Sequence, residues 1–253
     1  MEIVTRNDII NGIPVLACCR GDASGPMPLI LAAHGFQGAK ENFQDNLQAL
    51  AERGFYATAL DNVAHGERLD PGVMSRVCRD GKYDVLAIRR LMQQTADEIP
   101  ALIDRLLAGG RVDAGRIGMF GVSMGGYITF RALVVDPRIK AAAPIIASPC
   151  WDELPQEGQF LAGPDVEREL AEFARRYAPA AFPDRFYPRA VLAQIGGHDP
   201  HFNGERVKDF FKELEGRYGA EKSRLKLIVH ESVGHEFTET MWRNVMEWFE
   251  QYV

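Results

Sequence analysis

One stretch of the chain combines a nucleophile with the small residues that a tight turn demands: Gly121-Val122-Ser123-Met124-Gly125-Gly126. It follows a short apolar run at residues 117–120 and leads into a helical pattern at residues 124–135. A strand that turns this sharply into a helix lifts the serine side chain clear of the sheet and strains its backbone. A side chain at position 121 or 125 would collide with such a turn. The following helix aims its free N–H groups at the serine, where they favour developing negative charge. The chemistry implied is attack by a serine oxygen on a carbonyl carbon.

A serine hydroxyl is a poor nucleophile at neutral pH and needs a base that is itself held by a carboxylate. His235 is the candidate base, in Glu231-Ser232-Val233-Gly234-His235-Glu236-Phe237, between a strand pattern and the last helix. His230 is a rival, but a strand-end position leaves it less free to reach. Asp199 is the candidate acid, in Ile195-Gly196-Gly197-His198-Asp199-Pro200, where glycines let the chain turn towards the imidazole. Asp152 is the alternative acid. Acyl transfer creates an oxyanion, and its donors are expected to be the backbone N–H groups of Met124 and of Phe36, in His34-Gly35-Phe36-Gln37-Gly38. The Phe36 side chain and Trp151 are expected to contact substrate. His34 reads as structural, as does the loop from Asp61 to Arg68.

These residues need a scaffold that brings distant stretches to one rim. Short apolar runs at residues 13–18, 29–33, 56–60, 117–120, 141–147, 191–195 and 225–229 read as strands, the first of them antiparallel. Helical patterns fall at residues 41–53, 83–107 (with a break expected near Pro100), 124–135, 205–218 and 238–252. Strands alternating with helices indicate βαβ units and a mostly parallel sheet. Residues 150–188 interrupt the alternation with five prolines, a short helix at residues 166–177 and many aromatics. A segment so long is too much for a simple connection, and it is expected to be a cap over a pocket within one domain spanning residues 1–253.

Composition removes other classes. A net charge of -6 argues against a nucleic-acid surface, which needs clustered Lys and Arg. Cys18, Cys19, Cys78 and Cys150 form no C-x-x-C pair, so neither a disulfide framework nor a zinc site is expected. No H-E-x-x-H cluster is present, and no metal or cofactor is required. The first residues lack a basic stretch followed by an apolar one, and no apolar run is long enough for a bilayer, so a cytoplasmic protein with no membrane partner is expected. The sequence does not fix the oligomeric state; a homodimer is one option.

His34-Gly35-Phe36, Asp61 with His65-Gly66 and Arg68, the Ser123 hexapeptide, Gly197-His198-Asp199 and Gly234-His235 stand in the order found in α/β-hydrolases. From Pro14 onward the chain resembles small bacterial carboxylesterases near the prolyl-oligopeptidase and dienelactone-hydrolase branches. The resemblance implies an α/β fold with an eight-stranded sheet flanked by helices and a Ser123–Asp199–His235 triad. It also implies an oxyanion hole at Phe36 and Met124, no cofactor, and cleavage of short acyl esters through an acyl-enzyme. Three departures limit it. Dienelactone hydrolases place cysteine where this chain has Ser123, the triple-glycine oxyanion loop of another esterase group is absent, and so is the propeller of prolyl oligopeptidases. The rival readings are a thioesterase, an aminopeptidase-like serine hydrolase, and a non-catalytic binding protein of the same fold.

Overall fold

The structure is a computed structural model that describes residues 2–155 and 159–253. Residues 156–158, inside the expected cap, lie outside the described residues. The strands are β1 (Ile3–Ile10), β2 (Ile13–Arg20), β3 (Met27–Ala33), β4 (Tyr56–Leu60), β5 (Cys78–Arg79), β6 (Lys82–Tyr83), β7 (Val112–Val122), β8 (Ile139–Ile145), β9 (Ala190–Gly196) and β10 (Leu225–His230). The helices are α1 (Gln44–Glu52), α2 (Pro71–Val77), α3 (Val85–Ala108), α4 (Met124–Val135), α5 (Pro164–Tyr177), α6 (Gly204–Tyr218) and α7 (Glu239–Tyr252).

Among the described residues eight strands make one sheet in the order β1-β2-β4-β3-β7-β8-β9-β10, and β5 and β6 form a separate pair. From β4 to β10 every neighbouring pair is parallel, whereas β2 runs antiparallel to both β1 and β4. The central strands read as unbroken apolar runs because helices cover both faces; β9, Ala-Val-Leu-Ala-Gln-Ile-Gly, is buried throughout. β1 adds a strand ahead of the expected first one. Its apolar ends flank Thr5-Arg6-Asn7-Asp8, and most of it is exposed at the sheet edge, so no alternation marks it. The readable signal is the turn Asn11-Gly12, with φ of 52° and 78°, which suits a tight hairpin between β1 and β2.

One face of the sheet carries α3, α4 and α6, whose core includes Leu91, Ile103, Ile128, Phe130, Phe210 and Leu214. The other face carries α1 and α7, which bury Leu47, Leu50, Trp242, Val245 and Phe249. α3 runs unbroken through Pro100. Proline removes a helical N–H and crowds the carbonyl four residues earlier. Here Ala96, Ile99, Leu102 and Ile103 are all fully buried around it, so packing outweighs the local defect.

The expected insertion folds back onto the body. Tyr83 donates its N–H to Gln159 O (2.7 Å) and accepts at its carbonyl from Leu161 N (2.8 Å). Leu170 of α5 is fully buried against Val85 and Leu86 at the start of α3. Trp151 is fully buried and stacks on Phe173 with rings 10° from parallel. Among the described residues no helix is long and apolar enough to cross a membrane.

Candidate active site

Ser123 sits between β7 and α4 with φ 55° and ψ −119°, a backbone state that costs about 1–3 kcal/mol for a residue with a side chain. Its neighbours hold it there. Ser123 N donates to Ile145 O (3.0 Å), while Gly126 N and Tyr127 N donate back to Ser123 O (2.8 and 3.1 Å). A Cβ on Gly121 would lie 2.2 Å from Gly125 O, and one on Gly125 would lie 1.7 Å from Ala33 O. The glycines are therefore dictated by the closeness of β3 and β7 to the turn.

The two loops that follow β9 and β10 are laced together by their backbones. Gly197 N donates to His230 O (2.9 Å) and His198 N to Val233 O (3.0 Å). A Cβ on Gly196 would meet Gly234 O at 2.2 Å. This lacing sets Asp199 beside His235 and both above the Ser123 turn. Ser123 Oγ lies 2.7 Å from His235 Nε2, and His235 Nδ1 lies 2.7 Å from Asp199 Oδ2. A carboxylate can only accept, so Nδ1 carries the proton and donates to Asp199. Nε2 is then free to accept from the serine hydroxyl.

Asp199 also accepts from His201 N (3.0 Å), and the His201 ring nitrogen lies 3.4 Å from Asp199 Oδ1. Burial alone would raise its pKa, but the hydrogen bonds from His201 and His235 outweigh burial and hold it at about 2. The His201 ring lies against that of His235, with centroids 4.0 Å apart. Asp199, His201 and His235 together offer three metal-ligand atoms within 4.8 Å of one another. Both nitrogens of His235 already face partners, so the cluster is arranged to move a proton rather than to present free ligands.

The rivals are committed elsewhere. His230 Nε2 lies 3.1 Å from Gln194 Oε1, which also accepts from Asn244. Asp152 is ion-paired with Arg206 at 2.9 Å. His34 is buried, donates from Nδ1 to Gly35 O (2.8 Å) and accepts at Nε2 from Asn62 N (3.2 Å). Burial presses its pKa down to about 4, so it is a neutral structural group. Asp61 is fully buried and caps its own loop, accepting from Lys40 N and Glu67 N at 2.8 and 2.9 Å.

A cavity of about 420 Å³ opens at Ser123, lined by Gly35, Phe36, Met124 and His235 on the chemical side. A Cβ on Gly35 would lie 3.7 Å from Ser123 Cβ, so the His34–Phe36 backbone runs directly beside the serine. Met124 is the first residue of α4, and its N–H precedes the first helical bond, from Gly126 to Ser123. The Phe36 ring lies between His65 and Tyr83, at centroid distances of 5.3 and 5.6 Å. Trp151 is not on the cavity wall: it is spent on the core, and Tyr83, Phe160 and Phe237 supply the aromatic lining instead. Ile146, also on the wall, is held at φ 45°, a strained state for a β-branched residue.

Of the wall residues that were not anticipated, two carry basic side chains, His201 and Arg89. His201 stands two positions after Asp199. Arg89 shares a helical face with Val85, Ile88 and Met92, and a charged residue within an apolar stripe is the signal that could have found it.

Residues 24–211 match the family described as serine aminopeptidase, S33; Ser123 and Asp199 fall within that span and His235 beyond it. The Bacillus subtilis (strain 168) protein YitV, provisionally named an esterase, is 27% identical over 261 residues, a match covering 99% of this chain and 100% of YitV. The crystal structure of TT1662 from Thermus thermophilus matches with a TM-score of 0.79 at 26% identity, over 99% of this chain and 98% of that one. An acetyl xylan esterase from Paenibacillus sp. R4 has a TM-score of 0.64 at 18% identity, over 100% of this chain and 89% of that one, a likeness of fold alone.

Proposed function

The chain belongs to the serine aminopeptidase family S33 and has the α/β-hydrolase fold, and from that premise we propose that it is a serine esterase acting on small carboxylic esters. The observation that carries this reading is the unbroken path from Ser123 Oγ through His235 to Asp199, with 2.7 Å at each link, at the mouth of a largely apolar cavity. His235 Nε2 takes the Ser123 proton as the oxygen attacks the ester carbonyl. The oxyanion rests on the N–H groups of Phe36 and Met124. His235 then protonates the departing alcohol, and water hydrolyses the acyl-enzyme by the same route. Asp199 stabilises the imidazolium formed in each half. The insertion at residues 150–188 serves as the cap, contributing Pro155, Gln159 and Phe160 to the wall.

The wall favours esters over the free N-terminus of a peptide. An aminopeptidase must hold an ammonium group, for which buried carboxylates are the natural partner. Among the described residues the cavity lining includes no Asp or Glu, and it does include Arg89. The relatedness to YitV points the same way.

An organophosphonate should modify Ser123 stoichiometrically, and Ser123→Ala should reduce ester hydrolysis by roughly 10⁴-fold or more. Short acyl esters should turn over faster than the matched thioesters and aminoacyl anilides. Unmodified Ser123, or full turnover by the alanine variant, would overturn the assignment. Preference for the anilides would return the chain to the peptidases.

A further inference from the structure

Arg89 takes no part in the acyl-transfer chemistry, yet it stands on the wall of the same cavity at 3% exposure. Its guanidinium lies over the Tyr127 ring, 4.1 Å from the centroid. Nη1 points to the weak acceptor Met92 Sδ at 3.5 Å, and Nε is buried with no hydrogen-bond partner. Among the described residues no carboxylate lies within ion-pair distance of it. Glu153 acts on it only at longer range. A guanidinium keeps its charge in any protein setting, and a buried charge without a paired anion is unfavourable unless something else answers it. The ring contact answers one face of the guanidinium. Among the described residues its in-plane donors meet no acceptor besides the Tyr127 side chain and Met92 Sδ, and their fork suits a planar oxyanion gripped by two parallel hydrogen bonds.

We propose that Arg89 receives a carboxylate carried by the substrate, so that the preferred esters are small anionic ones. This rests on the esterase reading and adds the substrate class to it. Three features agree. The described cavity lining holds no acidic side chain to compete for Arg89. The remaining lining on the same helical face, Val85, Ile88 and Met92, is apolar, which excludes water and strengthens a charged pair. The cavity, at about 420 Å³, lies towards the small end of ligand pockets and suits a compact half-ester better than a long acyl chain. The chain as a whole is acidic, with a net charge of -6, so its general field repels anions. A preference for anionic esters therefore has to come from a local group.

The test uses two matched pairs of esters on the full chain. One places the carboxylate on the acyl side: para-nitrophenyl hydrogen glutarate against para-nitrophenyl valerate. The other places it on the alcohol side: para-carboxyphenyl acetate against phenyl acetate. For at least one pair, kcat/KM should be about tenfold or more higher for the anionic member, carried mainly by KM. Arg89→Gln should bring that ratio down to about one, and Arg89→Lys should restore part of it. The ratio is internal to each variant, so a loss of folded protein cancels. Glutarate should also inhibit competitively, with its inhibition constant raised about tenfold in Arg89→Gln. An enzyme that cleaves the neutral esters equally well or better in both pairs, or keeps its ratio in Arg89→Gln, overturns the assignment of Arg89 and leaves the esterase intact. Failure to cleave any of the four esters, with no phosphonate on Ser123, removes the esterase reading and this inference with it.

Discussion

Asp199 accepts from the His235 ring and from the His201 backbone, with the His201 ring nitrogen 3.4 Å away, and its low pKa follows from that arrangement. It stays ionised down to about pH 2, so protonation of this carboxylate does not shape the activity profile above that pH. Asp199→Asn would leave the shape but present an amide where His235 needs an acceptor. We expect kcat to fall by about 10³–10⁴-fold in steady-state ester hydrolysis. Asp152→Asn, which breaks only the pair with Arg206, should stay within about a factor of two; the reverse order of effects would transfer the acid role. His34 gives a second test at this scale, in stability. Its folded pKa, about 4, lies below the ordinary histidine value near 6.5, so the unfolded chain binds the extra proton first. Above about pH 6.5 His34 contributes no pH dependence. As pH falls from there through about 4, stability drops by about 3 kcal/mol from this residue alone. Urea unfolding across that range should show a shallower pH slope in His34→Gln than in the unsubstituted protein, and identical slopes would refute the buried neutral state.

The elements explain why these residues meet, and why some of the molecule was readable from sequence and some was not. β3, β9 and the second half of β7 announce themselves because strands covered on both faces must be continuously apolar, while β10, half-buried at the sheet edge, is marked by Leu225, Leu227, Ile228 and Val229. That Ser123, Asp199 and His235 meet was legible for a related reason: each follows a strand of the parallel set, so parallel order places all three loops along one edge of the sheet. β1 was not, because an edge strand exposed on both sides carries no apolar alternation. The continuity of α3 through Pro100 was hidden because a local rule was outweighed by burial that only the tertiary structure supplies. Trp151 was misplaced for the same reason, since an aromatic in an insertion reads equally well as lining or as core. Gly196 tests how the elements are joined. A methyl there would lie 2.2 Å from Gly234 O and force the two loops apart. Gly196→Ala should therefore lower both thermal stability and the rate of phosphonate labelling at Ser123. Normal labelling in a destabilised variant would show that the lacing of the loops does not set the distance from His235 to Ser123.

At the scale of the whole molecule, the two faces of the sheet hold separate apolar clusters, and the three tryptophans divide between them. Trp242 and Trp248 belong to the face covered by α1 and α7. Trp151 belongs to the opposite cluster, together with residues of α3, α4 and α6. It also joins residues 150–188 to that cluster, since it stacks on Phe173 while Leu170 and Ala174 of α5 are buried. A cap attached only by its ends would open without disturbing the sheet. One whose side chains belong to the main core must lose that core in order to leave, so the insertion and the sheet should unfold as a single unit. Trp151→Phe leaves fluorescence that reports the α7 face, and a Trp242→Phe/Trp248→Phe double variant leaves fluorescence that reports the insertion. Each curve is to be compared with far-ultraviolet circular dichroism and residual ester hydrolysis of the same variant, because the substitutions themselves shift stability. Within each variant the urea midpoints from the three probes should coincide. An earlier fluorescence transition confined to the variant that retains Trp151, with activity lost in the same step, would instead make residues 150–188 an independently opening lid. Substrate entry would then be governed by the stability of α5 rather than by the size of a fixed cavity mouth.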